Sequence, residues 1–383
     1  MSYPNQPDKV YYDLVISNLS GNLKGLPPPI LFYNETRSTP LIYDPSSYYL
    51  SIVRFSLDTS TLPVFVPEIQ LQQDNPNLTV YSFTISWTDP ASGTTYDAQE
   101  YMKFIPQDET KEEPLPPSKT SNGFQDNSTG YYFVFNFQFI VFVINNTLDA
   151  CYKSLQAKVS GLPSNYAPVM TWNSDSNKAI LYTDVLGYDL TLANPMKVFM
   201  NSSMTQLFNS FPLKIISYGN TGDLGKNTQI MTNSFGYANV VPFPGGSSQA
   251  FFDAIVIDQE FSTISSINPV MSIVFCSNSL PIVSNNISKP LLIYQGSALT
   301  SSGNNNLIAN VITDLQLDGS YKPNILYQPQ GQYRLIDMVG SRPLIDVDIS
   351  VFWRDRFGAL NSFFLSAGST CTLKILFTKK HTE

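Results

Sequence analysis

The sequence predicts an all-β protein: a single jelly roll, an eight-stranded sandwich, split by a large, mainly-β insertion that carries one helix. Three observations lead there. Short segments alternating apolar and polar residues recur along the chain, separated by Pro, Gly, Asn and Ser, the pattern of sandwiches and barrels. Eight such segments fall in the two end regions, the strand number of a jelly roll. The region between them has a different texture and holds the one convincing helical periodicity.

Val10, Tyr12, Leu14 and Ile16 alternate cleanly and predict a first strand; a Pro- and Gly-rich stretch with Pro27-Pro28-Pro29 follows. Tyr48 to Leu57 (YYLSIVRFSL) reads as a more completely buried second strand, and Pro63 and Pro67 break the ladder after it. Four further strands are predicted at Phe251–Ile257, Val270–Cys276, Leu291–Tyr294 and Asn310–Leu317. In the segment 344–354, Ile345, Val347, Ile349, Val351 and Trp353 share one face, with Asp346, Asp348 and Ser350 opposite. Cys371, Leu373, Ile375 and Phe377 repeat the pattern in the last strand, against Thr372, Lys374 and Thr378. Arg356 to Leu360 is expected as a loop between them.

The middle contains expected strands at Val80–Trp87, Val169–Trp172, Ala179–Thr183 and Leu213–Tyr218. Ile144, Leu148, Cys151 and Leu155 recur at helical spacing, and Gly161-Leu162-Pro163 stops that segment. The acidic, Pro-rich stretch Gln107 to Lys119 is expected to be a mobile loop. No internal repeat is evident. Pro242, Pro244, Gly245 and Gly246 mark an exit from this region as Pro63 and Pro67 mark its entry. The expected division is therefore 1–69, first part of the jelly roll; 70–248, insertion domain; 249–383, second part. The insertion would lie between the second and third jelly-roll strands.

Composition narrows the function. Charged residues make up 14 % of the chain, against about 25 % in ordinary soluble domains, while aromatics reach 13 %. That balance suits a surface covered by neighbours, because interfaces favour aromatics and lose Lys and Glu. The net charge is −8 and the basic residues are scattered, so the cationic face that direct nucleic-acid binding needs is not expected. The N-terminus (MSYPNQPDKV) has neither a charged nor an apolar signal region, and Tyr131 to Ile144 is too short for a membrane span. Cys151, Cys276 and Cys371 lie inside apolar patterns and read as buried thiols of a reducing compartment.

The chemistry of catalysis is thin. The single histidine, His381, sits third from the end, which removes Ser-His-Asp and Cys-His catalysis and His-based metal sites. Gly219 to Asn227 suggests a phosphate loop, but a Walker A motif needs Gly where Asn220 stands and Ser or Thr where Asn227 stands. A surface turn is the expectation. Asp346 and Asp348 share a strand face and are the right residue type for acid–base or Ca²⁺ chemistry; the plain reading is two polar residues facing out. Asp253 with Asp258, and Asp355 beside Arg354 and Arg356, read as salt-bridge partners. The run from Tyr131 to Phe139 reads as core packing at the helix entry rather than a ligand-stacking face. No catalytic residue, no cofactor and no metal is expected.

Two segments carry a family resemblance. Ser47 to Phe55 (SYYLSIVRF) leads into Leu62 to Pro67 (LPVFVP), and Pro343 to Trp353 (PLIDVDISVFW) runs through Leu365-Ser366-Ala367-Gly368 to Leu373–Phe377 (LKILF). These resemble the vertex (penton, or minor capsid) proteins of Sputnik-like virophages and polinton-like viruses, over about the first 67 and last 130 residues. The resemblance implies a structural capsid protein, not an enzyme: a single jelly roll, assembled as a homopentamer at the five-fold vertices of an icosahedral virion. It also implies major capsid protein (hexon) neighbours, assembly in the host cytoplasm and an outward insertion domain available for host attachment. Host-surface glycans are then a further candidate partner. Three alternatives stay open: a lectin-like module binding glycans, a major capsid protein, and a carbohydrate-active enzyme with two converging carboxylates.

Overall fold

The computed structural model describes residues 6–18, 31–71, 74–116, 125–127, 129–217, 225–233, 236–240, 252–283, 291–292, 310–316, 324–327, 334–356 and 358–380. The chain forms two compact units. The outer unit is Met1–Leu62, Asn127–Thr129 and Pro269–Glu383; the inner unit is Pro63–Asp126 and Gly130–Asn268.

The outer unit is the jelly roll. Its eight main strands are β1 (Lys9–Ser17), β2 (Phe32–Thr36), β3 (Tyr48–Asp58), β4 (Val270–Ser277), β5 (Asn310–Gln316), β6 (Asn324–Tyr327), β7 (Asp346–Asp355) and β8 (Thr370–Lys379). One sheet runs β1-β8-β3-β6 and the other has β7 between β2 and β4, with β5 beyond β4. All these pairs are antiparallel, from Lys9 opposite Thr378 in β1/β8 to Asp346 opposite Thr36 in β7/β2. First strand beside last, and second beside second-to-last, is the interleaved order of a jelly roll.

Between the two sheets the expected inward faces meet. Cys371, Leu373, Ile375 and Phe377 of β8 and Val347, Ile349, Val351 and Trp353 of β7 are all at most 2 % exposed. Phe55 of β3 and Phe275 of β4 join the sheets, with ring centroids 5.0 Å apart. Each such aromatic removes about 150–250 Å² of apolar surface from water, the dominant stabilising contribution here. A second apolar cluster, Val274, Cys276, Phe352 and Leu360, lies on the other face of β4 and β7. These two strands are therefore buried on both faces.

Among the described residues three short pieces (Leu291–Leu292, Ile336–Asp337 and Ala359–Ser362) accompany these eight main strands, and two of the eight differ from the sequence reading. Phe252–Asp258 pairs with Lys178–Asp184 and belongs to the inner unit. Leu291–Leu292 is only a two-residue parallel contact with Ala359–Leu360. Their places are taken by β2 and β6, so the inner unit enters after the third jelly-roll strand, not the second. The second part of the jelly roll begins at Pro269 rather than at residue 249. Ile345 precedes β7 and is 39 % exposed, while Leu344 is buried and bridges to Ile42. The expected loop after β7 is a turn closed by Gly358 N–H donating to Asp355 O (3.1 Å), and Ala359–Ser362 then returns as a short strand against β7.

In the inner unit, one sheet runs Thr95–Lys103, Leu78–Thr88, Lys197–Met200, Thr228–Ile230, Leu213–Ile215. The other runs Gly236–Val240, Phe252–Asp258, Lys178–Asp184, Val169–Asn173. Their order is dominated by hairpins and lacks the interleaving of a second jelly roll. The helix α1, Phe137–Lys158, is capped by Asn136, whose side chain accepts from Phe139 N at 2.8 Å. Ile144, Leu148, Cys151 and Leu155 face the core, none more than 1 % exposed. Three shorter helices, Val185–Tyr188, Ser202–Leu207 and Ile264–Ile267, were not expected from the sequence. The described part of the acidic stretch, 107–116, is tied down: Gln107 Oε1 accepts from Phe135 N (2.7 Å) and Asn77 Nδ2 donates to Glu113 Oε1 (3.0 Å).

Candidate functional site

Of the two β7 carboxylates, Asp348 is a structural anchor. Asp346 is half-buried, and Asp348, expected to face out, is buried at 7 % exposure. Cys276 pairs with Ser350, so β4 ends at Ser277 and its following turn lands beside Asp348. Asp348 Oδ1 accepts from Ser277 Oγ (2.6 Å), Ser279 N (2.7 Å) and Ser279 Oγ (2.5 Å), and Oδ2 from Asn278 N (2.9 Å). Burial alone would raise its pKa, but the two serine hydroxyls and two backbone amides outweigh that and hold it below the ordinary value. A buried carboxylate held in its charged form by these donors is placed to anchor the turn at 277–279.

Asp253 and Asp258 sit exposed on an inner-unit strand, and Asp355 ends β7. His381 and residues 219–224 lie outside the described residues. Among the described residues no group of three His, Cys, Asp or Glu could hold a metal ion. The three cysteines are free and buried, and burial pushes each thiol up to about 12, the unreactive form. Tyr131 to Val134 is core, and Phe137 stacks on Trp172 at 4.4 Å within the inner unit.

What the outer unit offers is surface. Among the described residues β1 pairs only with β8, so one side of it is a sheet edge, and an edge with unpaired backbone groups is a ready docking line. Its outer face carries Tyr11 (57 % exposed) and Val15 (59 %) around Asp13, which pairs with Lys374 (3.2 Å) and Arg54 (3.8 Å). Lys374 Nζ also stands 5.6 Å over the Tyr11 ring. On its inner face Tyr12 hydroxyl bonds Tyr33 hydroxyl (2.7 Å) and donates to Glu35, tying β1 to β2. Burial first, and the Glu35 bond second, raise the pKa of both tyrosines, so they stay neutral donors.

The inner unit offers a cavity of about 820 Å³ beside the Ser202–Leu207 helix. Asn201 caps that helix, accepting from Met204 N (2.9 Å), and Asn227 Oδ1 accepts from Ser202 N (3.1 Å). Thr205 Oγ1 donates to Asn201 O (2.8 Å) and bonds Thr228 Oγ1 (2.6 Å), fixing one wall on the strand Thr228–Ile230. Pro212, Leu213, Ile215 and Met231 supply an apolar wall; Gln206, Asn209 and Glu260 stand exposed among the lining residues. No sequence signal pointed here: the polar lining consists of single residues spread over three separate stretches of chain.

A family model described as Sputnik minor capsid protein V18/19 matches residues 10–379. "Uncharacterized protein V18" of Sputnik virophage is 31 % identical over 155 residues, 40 % of this chain and 88 % of V18. "Structural protein V19" of the same virophage is 27 % identical over 209 residues, 55 % of this chain and 93 % of V19. A chain in the cryo-EM structure of Sputnik virophage superposes with a TM-score of 0.77 at 27 % identity, covering 98 % of this chain and 99 % of that one. The mavirus penton protein superposes with a TM-score of 0.60 at 16 % identity over 98 % of this chain and 100 % of that protein, a likeness of fold.

Proposed function

We propose, from the premise that this chain belongs to the Sputnik minor capsid protein V18/19 family, that it is the penton subunit of a virophage and closes the five-fold vertices of the capsid as a homopentamer. Its structural capsid role rests on the family and on relatives that are capsid proteins rather than enzymes. The observation that carries the finer reading is the fold likeness to a penton protein over 98 % of the chain, inner unit included. A ring of five uses two different surfaces of each subunit and leaves no free edge. The exposed β1 edge with Tyr11 and Val15, in a chain only 14 % charged, is a surface suited to one side of such a contact. Neighbouring hexons of the major capsid protein would cover other faces, with assembly in the host cytoplasm.

The inner unit, on this reading, folds as an insertion, faces outward and serves attachment to the host. Mass photometry and negative-stain imaging of the purified chain test the ring: five-fold particles are expected. A chain that stays monomeric at all concentrations and salts, and never occupies particle vertices, overturns it. Replacing residues 63–268 by a short Gly-Ser linker tests the division. A folded jelly roll that still forms rings but no longer attaches is expected. An unfolded product means that the inner unit helps build the main core, and retained attachment means that recognition lies elsewhere.

A further inference from the structure

We propose that the cavity beside the Ser202–Leu207 helix is a saccharide site, taking a neutral sugar residue of a cell-surface glycan; its biological meaning rests on the attachment role proposed above. At about 820 Å³ it falls within the roughly 300–1,000 Å³ of small-ligand sites. A sugar ring presents a C–H face and an edge of hydroxyls, each both donor and acceptor. The cavity presents the complement. Pro212, Leu213 and Ile215 form an aliphatic wall, while the hydroxyl of Ser202 and the carboxamides of Gln206 and Asn209 offer donors and acceptors on exposed residues. Glu260, also exposed, can accept from two adjacent sugar hydroxyls, the stronger charge-assisted kind of bond.

Charge selects the class. Among the described residues no Lys or Arg lines the cavity, so a phosphate or a sialic acid carboxylate would meet Glu260 without a counter-charge, which disfavours it. Lys178, whose ammonium donates to the Glu260 carbonyl oxygen at 2.8 Å, is not part of the lining. A polyamine would suit Glu260 but would leave the uncharged hydroxyl and carboxamide rim unused. Phe211 lines the cavity but is only 3 % exposed, so the contact is aliphatic rather than aromatic stacking. One such site binds weakly. Several copies on one ring would raise the avidity by about 10²–10⁴ without any new contact.

Saturation-transfer NMR on the full chain tests the site, with methyl glycosides of glucose, galactose, mannose and N-acetylglucosamine as neutral probes. Sialyllactose and spermidine serve as charged probes. Transfer to the ring protons of at least one neutral glycoside is expected, weakened about tenfold in affinity by Glu260→Gln, the size of one charge-assisted hydrogen bond. Asn209→Ala should weaken it too, and both exposed variants should melt like the parent. Binding of only a charged probe, binding of none, or neutral binding untouched by both variants overturns the proposal. Host-cell attachment separates this from the broader reading. If the chain lacking residues 63–268 loses attachment while Glu260→Gln and Asn209→Ala keep it, the attachment role stands and the saccharide site falls. If the shortened chain still attaches, the attachment role falls and the NMR result alone decides the site.

Discussion

Replacing Asp348 by Asn keeps the shape of the side chain but places an NH₂ where an acceptor is needed. Four donors converge on the carboxylate: the hydroxyls of Ser277 and Ser279 and the amides of Asn278 and Ser279. Because Oδ1 and Oδ2 are both engaged, either orientation of the carboxamide sets donor against donor. Losing a hydrogen bond to a charged group and stranding a buried amide costs about 2–3 kcal/mol. For a unit of this size that is a fall in Tm of roughly 5–10 °C, at about 2–4 °C per kcal/mol. The control is Asp346→Asn, half-buried at the start of β7, expected to lie within about 0.5 kcal/mol of the parent. Scanning fluorimetry at one fixed heating rate makes the comparison, since large proteins often melt irreversibly. Acid adds a second readout. The folded pKa of Asp348 is held below its unfolded value of about 3.9, so its contribution is present above that pH and lost as pH falls through the folded value. The Tm gap between the parent and Asp348→Asn should therefore narrow below about pH 4. Equal melting of the two variants at neutral pH would show that the turn at 277–279 does not depend on the carboxylate.

Three further outcomes follow from the core. Val351→Asp puts an unpaired carboxylate at a position of 0 % exposure, a penalty of several kcal/mol, and should abolish soluble expression; recovery of normal soluble yield refutes the face assignment. Gly187→Ala brings a Cβ to 2.3 Å from Ser164 Cβ, and Ser164 cannot retreat because it is buried and its hydroxyl donates to Asp184 at 2.6 Å. A loss of about 1–3 kcal/mol in urea unfolding is expected, and an unchanged midpoint refutes the crowding. The three thiols should ignore a disulfide reagent in the native protein and react fully in guanidinium, since burial keeps them protonated; rapid native reaction at any one contradicts its burial.

The inward faces of β7 and β8 and the buried face of α1 were legible because periodicity is a local property. Val347, Ile349 and Val351, or Ile144, Leu148 and Leu155, declare their face by spacing alone. β2, with sequence FYNET, was missed because three of its five residues are polar and its burial alternates only weakly, as suits a strand at a sheet edge. β6 is only four residues long and carries too short a pattern. The Ser202–Leu207 helix is likewise too short for a helical repeat to show.

Phe252–Asp258 shows the boundary between the two kinds of information. Its strand character was readable, yet its place in the inner unit depends on pairing with Lys178–Asp184, a partner about seventy positions away in the chain. Asp348 was misread for the same reason: alternation put it on a polar face, and only the turn from β4 decided that this face is buried. The cavity, too, exists only where the helix at 202–207, the strand at 228–230 and Glu260 are brought together. The sequence by itself determined the strand-rich class, the long helix Phe137–Lys158 and the interrupted jelly roll, because propensity and periodicity act between residues a few positions apart. Which strand pairs with which, where an insertion begins, and whether a polar side chain meets water or four donors were decided by tertiary structure, because hydrogen bonding and burial depend on chain segments that sequence spacing does not bring together.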